Sequence, residues 1–137
     1  MILFLRFQDF KEAQGAILNN EGDLQMLKTI HTPPEDFFCF VTQAFFTNFS
    51  QNDLQAIVVV IGPGSFTTLR TVLLFVQSIQ FLKQIPVMGI YNENNRSIEA
   101  LIEDTQFSLD YIKKNATEHV WPDYGSDPNI TIAKHFM

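Results

Sequence analysis

A buried strand, a glycine turn and a helix follow one another in the middle of this chain, and they constrain its fold more than any other feature. Residues 56–61 have the sequence AIVVVI, an apolar and β-branched run that predicts a strand buried on both faces. Gly-Pro-Gly-Ser follows, and apolar residues then recur at helical spacing. They are Leu69, Val72, Leu73, Val76, Ile79 and Leu82. The segment therefore predicts a strand, a tight turn and a helix over residues 66–83.

The glycine turn allows two interpretations. Gly62 and Gly64 permit backbone conformations that other residues avoid, and Ser65 or Thr67 can cap the following helix. A turn of this kind points free N–H groups at one place, so it can bind a phosphate. It can equally be a structural connection, since many parallel sheets place glycines there. The sequence matches neither the P-loop nor the dinucleotide-binding pattern.

The turn and its flanks resemble the bacterial TsaB (YeaZ) family, whose members are non-catalytic partners in making the threonylcarbamoyladenosine next to the tRNA anticodon. The sequence GPGSFTTLR of residues 62–70 is similar to the family signature GPGSFTGLR. Residues 53–57, 85–90 and 97–101 resemble the family segments sDLdaI, iPvvGV and SLeaL. The resemblance covers residues 2–101. We expect the turn to act mainly structurally, by fixing the angle at which the following helix leaves the sheet. The residues of this signature turn are Gly62, Pro63, Gly64, Ser65, Phe66 and Thr67.

The resemblance implies a scaffold subunit that binds the catalytic TsaD subunit in tRNA modification, or that forms a homodimer. A TsaE-like ATPase would join only through that complex. No catalytic residue, cofactor or metal is expected. The alternative is a degenerate homodimer with no role in tRNA modification, and an enzyme that uses ATP is disfavoured.

The order of the predicted elements gives the fold class. An antiparallel meander over residues 2–7, 13–18 and 24–30 precedes a helix over 33–48, and the central strand and helix follow. A strand at 86–91 and a helix at 97–114 complete the order βββαβαβ. This is an α/β arrangement with a mixed sheet, and the resemblance implies a single lobe of the actin-like, RNase-H-like fold. We expect that lobe at residues 1–114, an irregular tail at 115–137 and no second lobe.

The first strand departs from the family pattern. The family opens with ILaIDTS, but Arg6, Phe7 and Gln8 stand where Asp, Thr and Ser would. No acidic residue remains there to hold a metal, so we expect no strong binding of a magnesium–nucleotide complex. Thr68 replaces a glycine of the signature, and its side chain occupies a place that the family leaves open.

Composition excludes several classes of protein. The net charge is −6 and the nine basic residues are scattered, which argues against direct binding of nucleic acid. The single cysteine, Cys39, allows no internal disulfide and is compatible with a reducing cytoplasm; its aromatic neighbours predict a core position. No apolar run is long enough to span a membrane.

The chain also lacks a recognisable catalytic or metal-binding pattern. His31, His119 and His135 are far apart and show no ligand spacing with Cys39. Ser65 would need a base and an orienting third group to act as a nucleophile, and the pattern G-x-S-x-G is absent.

Two aromatic-rich helices carry more apolar surface than one stripe against a sheet requires. The helix over 33–48 has phenylalanines on more than one face, and the helix over 66–83 is nearly uncharged. Either their remaining faces pack together within a monomer, or they form a partner interface. The resemblance favours an interface, because these two helices of TsaB bundle with TsaD or with a second TsaB. The candidate interface residues are Phe38, Phe45, Arg70, Leu74 and Phe75, and we expect Arg70 to have a carboxylate partner.

Overall fold

The computed structural model describes residues 1–7, 12–31, 39, 41, 43, 51–64, 66–116 and 120–121. Besides a short 3-10 helix at Gln51–Asp53, these residues form five strands and three α-helices whose bounds are defined. They are β1 (Ile2–Arg6), β2 (Ala13–Leu18), β3 (Leu24–Ile30), β4 (Ala56–Gly62), α1 (Phe66–Lys83), β5 (Val87–Tyr91), α2 (Ile98–Asp104) and α3 (Leu109–Asn115). The predicted bounds of β2, β3 and α1 agree with the structure, and those of β1, β4 and β5 differ by a single residue. Within the part of the chain described, no helix has the length and apolarity needed to cross a membrane.

The predicted helix over 33–48 lies largely outside the described residues. Cys39, Val41 and Gln43 are described, and all three are helical. Val41 is fully buried, whereas Cys39 is exposed, so the core position predicted for this cysteine is wrong. Residues that are two positions apart in a helix are separated by roughly 200° around its axis, so these two side chains lie on opposite sides.

The five strands form one mixed sheet in the order β3-β2-β1-β4-β5. The hairpin pairs β1–β2 and β2–β3 are antiparallel, and the pairs β1–β4 and β4–β5 are parallel. This confirms the predicted meander followed by parallel strands. Since β1 pairs with both β2 and β4, the first residues of the chain lie at the centre of the sheet.

Both faces of the sheet are buried. Along β1, Leu3 and Leu5 belong to one apolar cluster and Ile2 and Phe4 to another, and all four are fully buried. The first cluster includes the buried side of α1, and the second includes residues of α2 and α3. Helices thus cover the two faces, which explains why the central strands are continuous apolar runs rather than alternating ones.

The single helix predicted over 97–114 is wrong, because two short helices replace it. The hydroxyl of Ser97 caps α2 by accepting a hydrogen bond from the amide of Ala100, and Ser108 caps α3 in the same way through Tyr111. Between them Phe107 is only 3% exposed and packs edge-on against Phe4, with ring centroids 5.2 Å apart. Burying this ring interrupts the helix, and the second serine cap begins it again.

The hairpin turn between β2 and β3 is hydrogen-bonded to the loop between α2 and α3, and we call this contact the clasp. The amide of Leu109 donates to the carbonyl of Asn20 at 2.8 Å, and the side chain of Gln106 donates to the carbonyl of Glu21. Gly22 has a φ of +92°, and a Cβ atom added there would lie 2.8 Å from the carbonyl carbon and oxygen of Phe107. Only glycine therefore allows the hairpin to approach this loop so closely.

We predict that Gly22→Ala destabilises the protein by more than about 1 kcal/mol, because alanine is strained at positive φ and its Cβ overlaps the backbone of Phe107. Urea unfolding followed by circular dichroism measures this change. Glu21→Ala is the matched control, since the side chain of Glu21 is exposed and the clasp uses only its carbonyl. Equal denaturation midpoints for the two variants would show that the clasp does not require glycine.

Candidate functional site

The carboxyl ends of three parallel strands lie side by side at one end of the sheet. Arg6 ends β1, Gly62 ends β4 and Tyr91 ends β5. In open sheets with parallel strands, ligands commonly bind outside these carboxyl ends. The signature turn follows β4 at these carboxyl ends, so a phosphate or nucleotide would be expected to bind here.

The side chain of Arg6 lies at these carboxyl ends and is hydrogen-bonded there to other residues of the chain. Its side chain is almost fully buried, and Nη1 donates to Oε1 of Glu12 and to Oε1 of Gln14, each at 3.0 Å. Nη2 donates to Asn95, to Oδ1 at 3.0 Å and to the backbone carbonyl at 3.3 Å. Gln14 also accepts from the amide of Ile98 at 3.0 Å. One guanidinium thus joins β1, β2 and the loop that leads into α2.

The electrostatics of this cluster do not fit a divalent cation or a nucleotide held through one. The guanidinium is a permanent positive charge, and Glu12, the carboxylate that pairs with it among the described residues, already neutralises it. The Nε atom of Arg6 is buried, and none of the described residues accepts a hydrogen bond from it. Within the described residues, no three His, Cys, Asp or Glu side chains are grouped closely enough to hold a metal.

The signature turn connects to the same edge through the backbone. The carbonyl of Gly62 accepts from the amide of Asn92 at 2.7 Å, and the peptide bond between Gly62 and Pro63 is cis. The buried side chain of Asn92 accepts from the amide of Arg96 and donates to its carbonyl, which fixes the loop after β5. These hydrogen bonds connect the start of the signature turn to the loop after β5.

The remaining signature residues surround the start of α1. Pro63 and Gly64 are half-buried, and Ser65 lies outside the described residues. The helix begins at Phe66, so Thr67 lies inside its first turn and does not cap it. Thr68, at the position of the family glycine, is fully buried, so its side chain is part of the packing beneath the helix.

The outward face of α1 exposes large apolar side chains. Leu74 is 56% exposed, Phe81 is 82% exposed and Leu82 is 78% exposed. A shallow groove of about 440 Å³ runs along this face, lined by Leu74, Gln77, Ser78, Phe81 and Leu82. We call these five residues the outward face. Arg70 is also exposed, one turn before Leu74.

Two expectations about α1 need correction. Phe75, expected at the partner interface, is 8% exposed and belongs to the core cluster that also contains Val41, so little of its ring is left for a partner. Leu82 is not part of the buried stripe. From Val76, the steps to Ile79 and then to Leu82 each turn only about 300°, and together they carry the position to the outward side.

Phe38 and Phe45 lie outside the described residues.

One hydrogen-bond partner of Arg6 could have been predicted from the sequence, and another could not. A charged residue in a buried strand needs a polar partner, and the antiparallel register pairs Arg6 directly with Gln14. Asn95 gave no such signal, because its contact depends on a loop in which it adopts a φ of +50°. Leu82 became recognisable as a surface residue only when the buried side of α1 was known.

Comparison with known proteins places this architecture in a family. The family model described as TsaD, tRNA N6-adenosine threonylcarbamoyltransferase, matches residues 41–115. Two solved structures share the fold: YeaZ from Pseudomonas aeruginosa, and an uncharacterized protein with similarity to peptidase YEAZ from Pseudomonas aeruginosa. Each superimposes with a TM-score of 0.58 at 23% identity and covers 66% of this chain. No curated protein matches the chain.

These comparisons confirm the expected likeness to YeaZ in the fold, and with it the actin-like, RNase-H-like class. The chain covers 43% of the length of either YeaZ structure, less than half of it. The family match extends over more than half of the chain and includes β4, the signature turn, α1, β5 and both later helices. On this evidence the chain belongs to the family of TsaD, the tRNA N6-adenosine threonylcarbamoyltransferase.

Proposed function

We propose that this chain is a non-catalytic scaffold subunit that binds a TsaD-like catalytic subunit in the synthesis of tRNA threonylcarbamoyladenosine. Membership of the family and the YeaZ-like fold support the pathway. The observation that carries the scaffold role is the outward face of α1, where Leu74, Phe81 and Leu82 are all more than half exposed. Contiguous apolar surface of this kind marks a site of protein–protein contact.

The free energy available at this face suits an interface. Burying a leucine or phenylalanine side chain contributes roughly 1.5–3 kcal/mol, so Phe81 and Leu82 together supply several kcal/mol toward association. The small side chain of Ser78 lies between Leu74 and Leu82 and allows a partner helix to approach closely. The core of the chain does not need this surface, because Leu69, Val72 and Val76 already fill the buried side of α1.

The absence of catalysis is part of the proposal and is supported by Arg6. A phosphoryl or carbamoyl transfer at the carboxyl ends of the strands would require a group that stabilises charge there, and a metal is the usual means. Here the position is occupied by a guanidinium whose Nη1 and Nη2 donors are bonded to Glu12, Gln14 and Asn95. The chain would therefore contribute surface to the complex while the partner contributes the chemistry.

We predict that Leu74→Asp weakens binding to a TsaD-like subunit by at least about a hundredfold, because a carboxylate buried against an apolar partner costs several kcal/mol. Calorimetric titration and copurification measure the effect. Leu24→Asp on β3 is the matched control, since Leu24 is 39% exposed and lies at the far edge of the sheet. Both variants should keep the circular dichroism spectrum of the parent.

Three results would count against this proposal. If Leu74→Asp binds as the parent does, the outward face is not the interface. If the parent chain fails to bind the TsaD-like subunit at all, the scaffold role is wrong. If the chain instead sediments as a dimer that Leu74→Asp dissociates, the homodimeric alternative is supported.

We also predict that the isolated chain neither hydrolyses ATP nor binds magnesium–ATP with micromolar affinity. The buried charge of Arg6 opposes a divalent cation at the carboxyl ends of the strands, and its hydrogen bonds leave no room for one. Isothermal calorimetry with ATP and magnesium tests this. A micromolar dissociation constant, or turnover above the rate of a heat-denatured sample, would refute it.

A further inference from the structure

Strand β3 forms an open edge of the sheet. It lies at the end of the strand order, and β2 is the strand that pairs with it. In an antiparallel pair, alternate residues of the outer strand direct their N–H and C=O groups away from the neighbour. Among the described residues, no backbone group is hydrogen-bonded to this outer side of β3. The outer side of a seven-residue strand is therefore open to pairing with a further strand.

At the start of β3, a side chain of the same strand reaches backbone carbonyls. Nε2 of Gln25 lies 3.5 Å from the carbonyl oxygen of Leu24 and 3.4 Å from that of Asp23. Both distances are near the long limit of a hydrogen bond, and the side chain of Gln25 is exposed. A strand paired here would therefore displace only weak contacts with the solvent-facing amide.

The opposite edge of the described sheet differs. A Cβ atom added at Gly89 of β5 would lie 2.7 Å from Cγ1 of Val120, so the chain around Val120 packs directly against that strand. Val120 is 2% exposed, and its carbonyl accepts a hydrogen bond from Nε2 of Gln77 at 2.8 Å. Of the two edges, β3 is the one without such a covering in the part of the chain that the structure describes.

Two leucines make the edge at β3 apolar on the face that α2 and α3 cover. Leu27 packs against the cluster on that face, and Leu24 is paired with Leu18, a member of the same cluster. Directly paired residues of a sheet point to the same face, and a register shift between the two leucines explains their odd spacing. Since Leu24 is 39% exposed, a neighbouring strand would cover apolar surface here.

The charges at the two ends of β3 have opposite signs. Glu21 and Asp23 precede the strand, Lys28 is its one charged residue, and all three are exposed. The carboxylate oxygens of Asp23 lie 3.3 and 3.4 Å from the side-chain amides of Gln106 and Asn19, which are neutral and leave the negative charge in place. An antiparallel second copy of β3 would bring each basic end beside the acidic end of the other. The strand therefore complements itself twice about a two-fold axis.

The charges also select how two copies could pair. The net charge of −6 opposes chance association, so a specific dimer needs local complementarity. A lysine in an edge strand opposes any pairing that sets it against the same lysine, as an in-register parallel pairing would. The antiparallel offset that places Leu24 of one copy opposite Leu27 of the other instead places Lys28 opposite Asp23. Apolar and charged contacts are thus satisfied in the same register.

We propose that β3 is a dimerisation strand, on which a second copy of this chain pairs antiparallel through its own β3 and joins the two five-stranded sheets into one. Leu24 of each copy lies opposite Leu27 of the other, and Lys28 of each faces Asp23 of the other. The outward face of α1 lies on a helix that packs against β4, so this dimer does not depend on the proposed function.

Reversing the charges and mixing the variants tests the pairing. Lys28→Glu sets two carboxylates against each other at both ends of the interface, and Asp23→Lys sets two ammonium groups against each other. Each variant alone should dimerise at least about tenfold more weakly than the parent. An equimolar mixture should restore the dimer, because both contacts then join opposite charges. Sedimentation equilibrium of the full chains and native mass spectrometry of the mixture measure these effects.

Hydrogen exchange locates the contact within the dimer. Amides on the outer side of β3 should become protected as the concentration of the chain rises, whereas those of the other strands should not change. Lys113→Glu is the matched control, since it reverses the charge of an exposed lysine on α3 and should dimerise as the parent does. Circular dichroism checks that every variant keeps the fold.

Three results would overturn the inference. One is a parent chain that sediments as a monomer at its highest soluble concentration. Another is a dimer that Leu74→Asp dissociates and Lys28→Glu does not, since the copies would then meet through α1. The third is a mixture of folded Lys28→Glu and Asp23→Lys that stays monomeric. Binding of a TsaD-like subunit is measured separately, so the scaffold role and the β3 dimer can fail independently.

Discussion

The arrangement of this chain depends on the hydrogen bonds that the buried guanidinium of Arg6 makes. It stands at the end of the central strand and is bonded to β2 through Gln14 and to the loop before α2 through Asn95. Breaking a buried charge network of this kind costs several kcal/mol, because each partner left behind loses its hydrogen bond. The same residue therefore connects the carboxyl end of the central strand to a neighbouring strand and to the loop that leads into α2.

The two sides of α1 differ in what they contribute to the folded chain. Leu69, Val72 and Val76 are essentially fully buried and stabilise the fold, whereas the side chains of Phe81 and Leu82 are mostly exposed. Exposed aromatic and aliphatic surface carries a risk of nonspecific aggregation. The net charge of −6 reduces that risk, since it keeps separate copies apart in solution.

Much of the fold could be predicted from the sequence because the strands and α1 follow from local apolar patterns. The pattern fails where long-range packing decides. The apolar residues from Ile98 to Ile112 fit one helix, but Phe107 finds a better position against Phe4, far away in the sequence. Phe75 is buried because an apolar cluster outside α1 covers it, which no property of the helix itself reveals. At the candidate site, Arg6 and the signature turn were identifiable, but Asn95 was not, because its role depends on the conformation of a loop.

The clasp between the β2–β3 hairpin and the loop before α3 constrains how the chain can be made on the ribosome. Gln106 and Glu21 are separated by 85 positions, and β1 needs β4, more than fifty residues later, for its parallel pairing. The hairpin can form early, but its turn has no surface to contact until Phe107 has emerged. Until β4 has emerged, the apolar residues of β1 have a strand partner on one side only. Translation speed over the segment that follows the hairpin would then determine how long this unprotected edge is exposed to other chains.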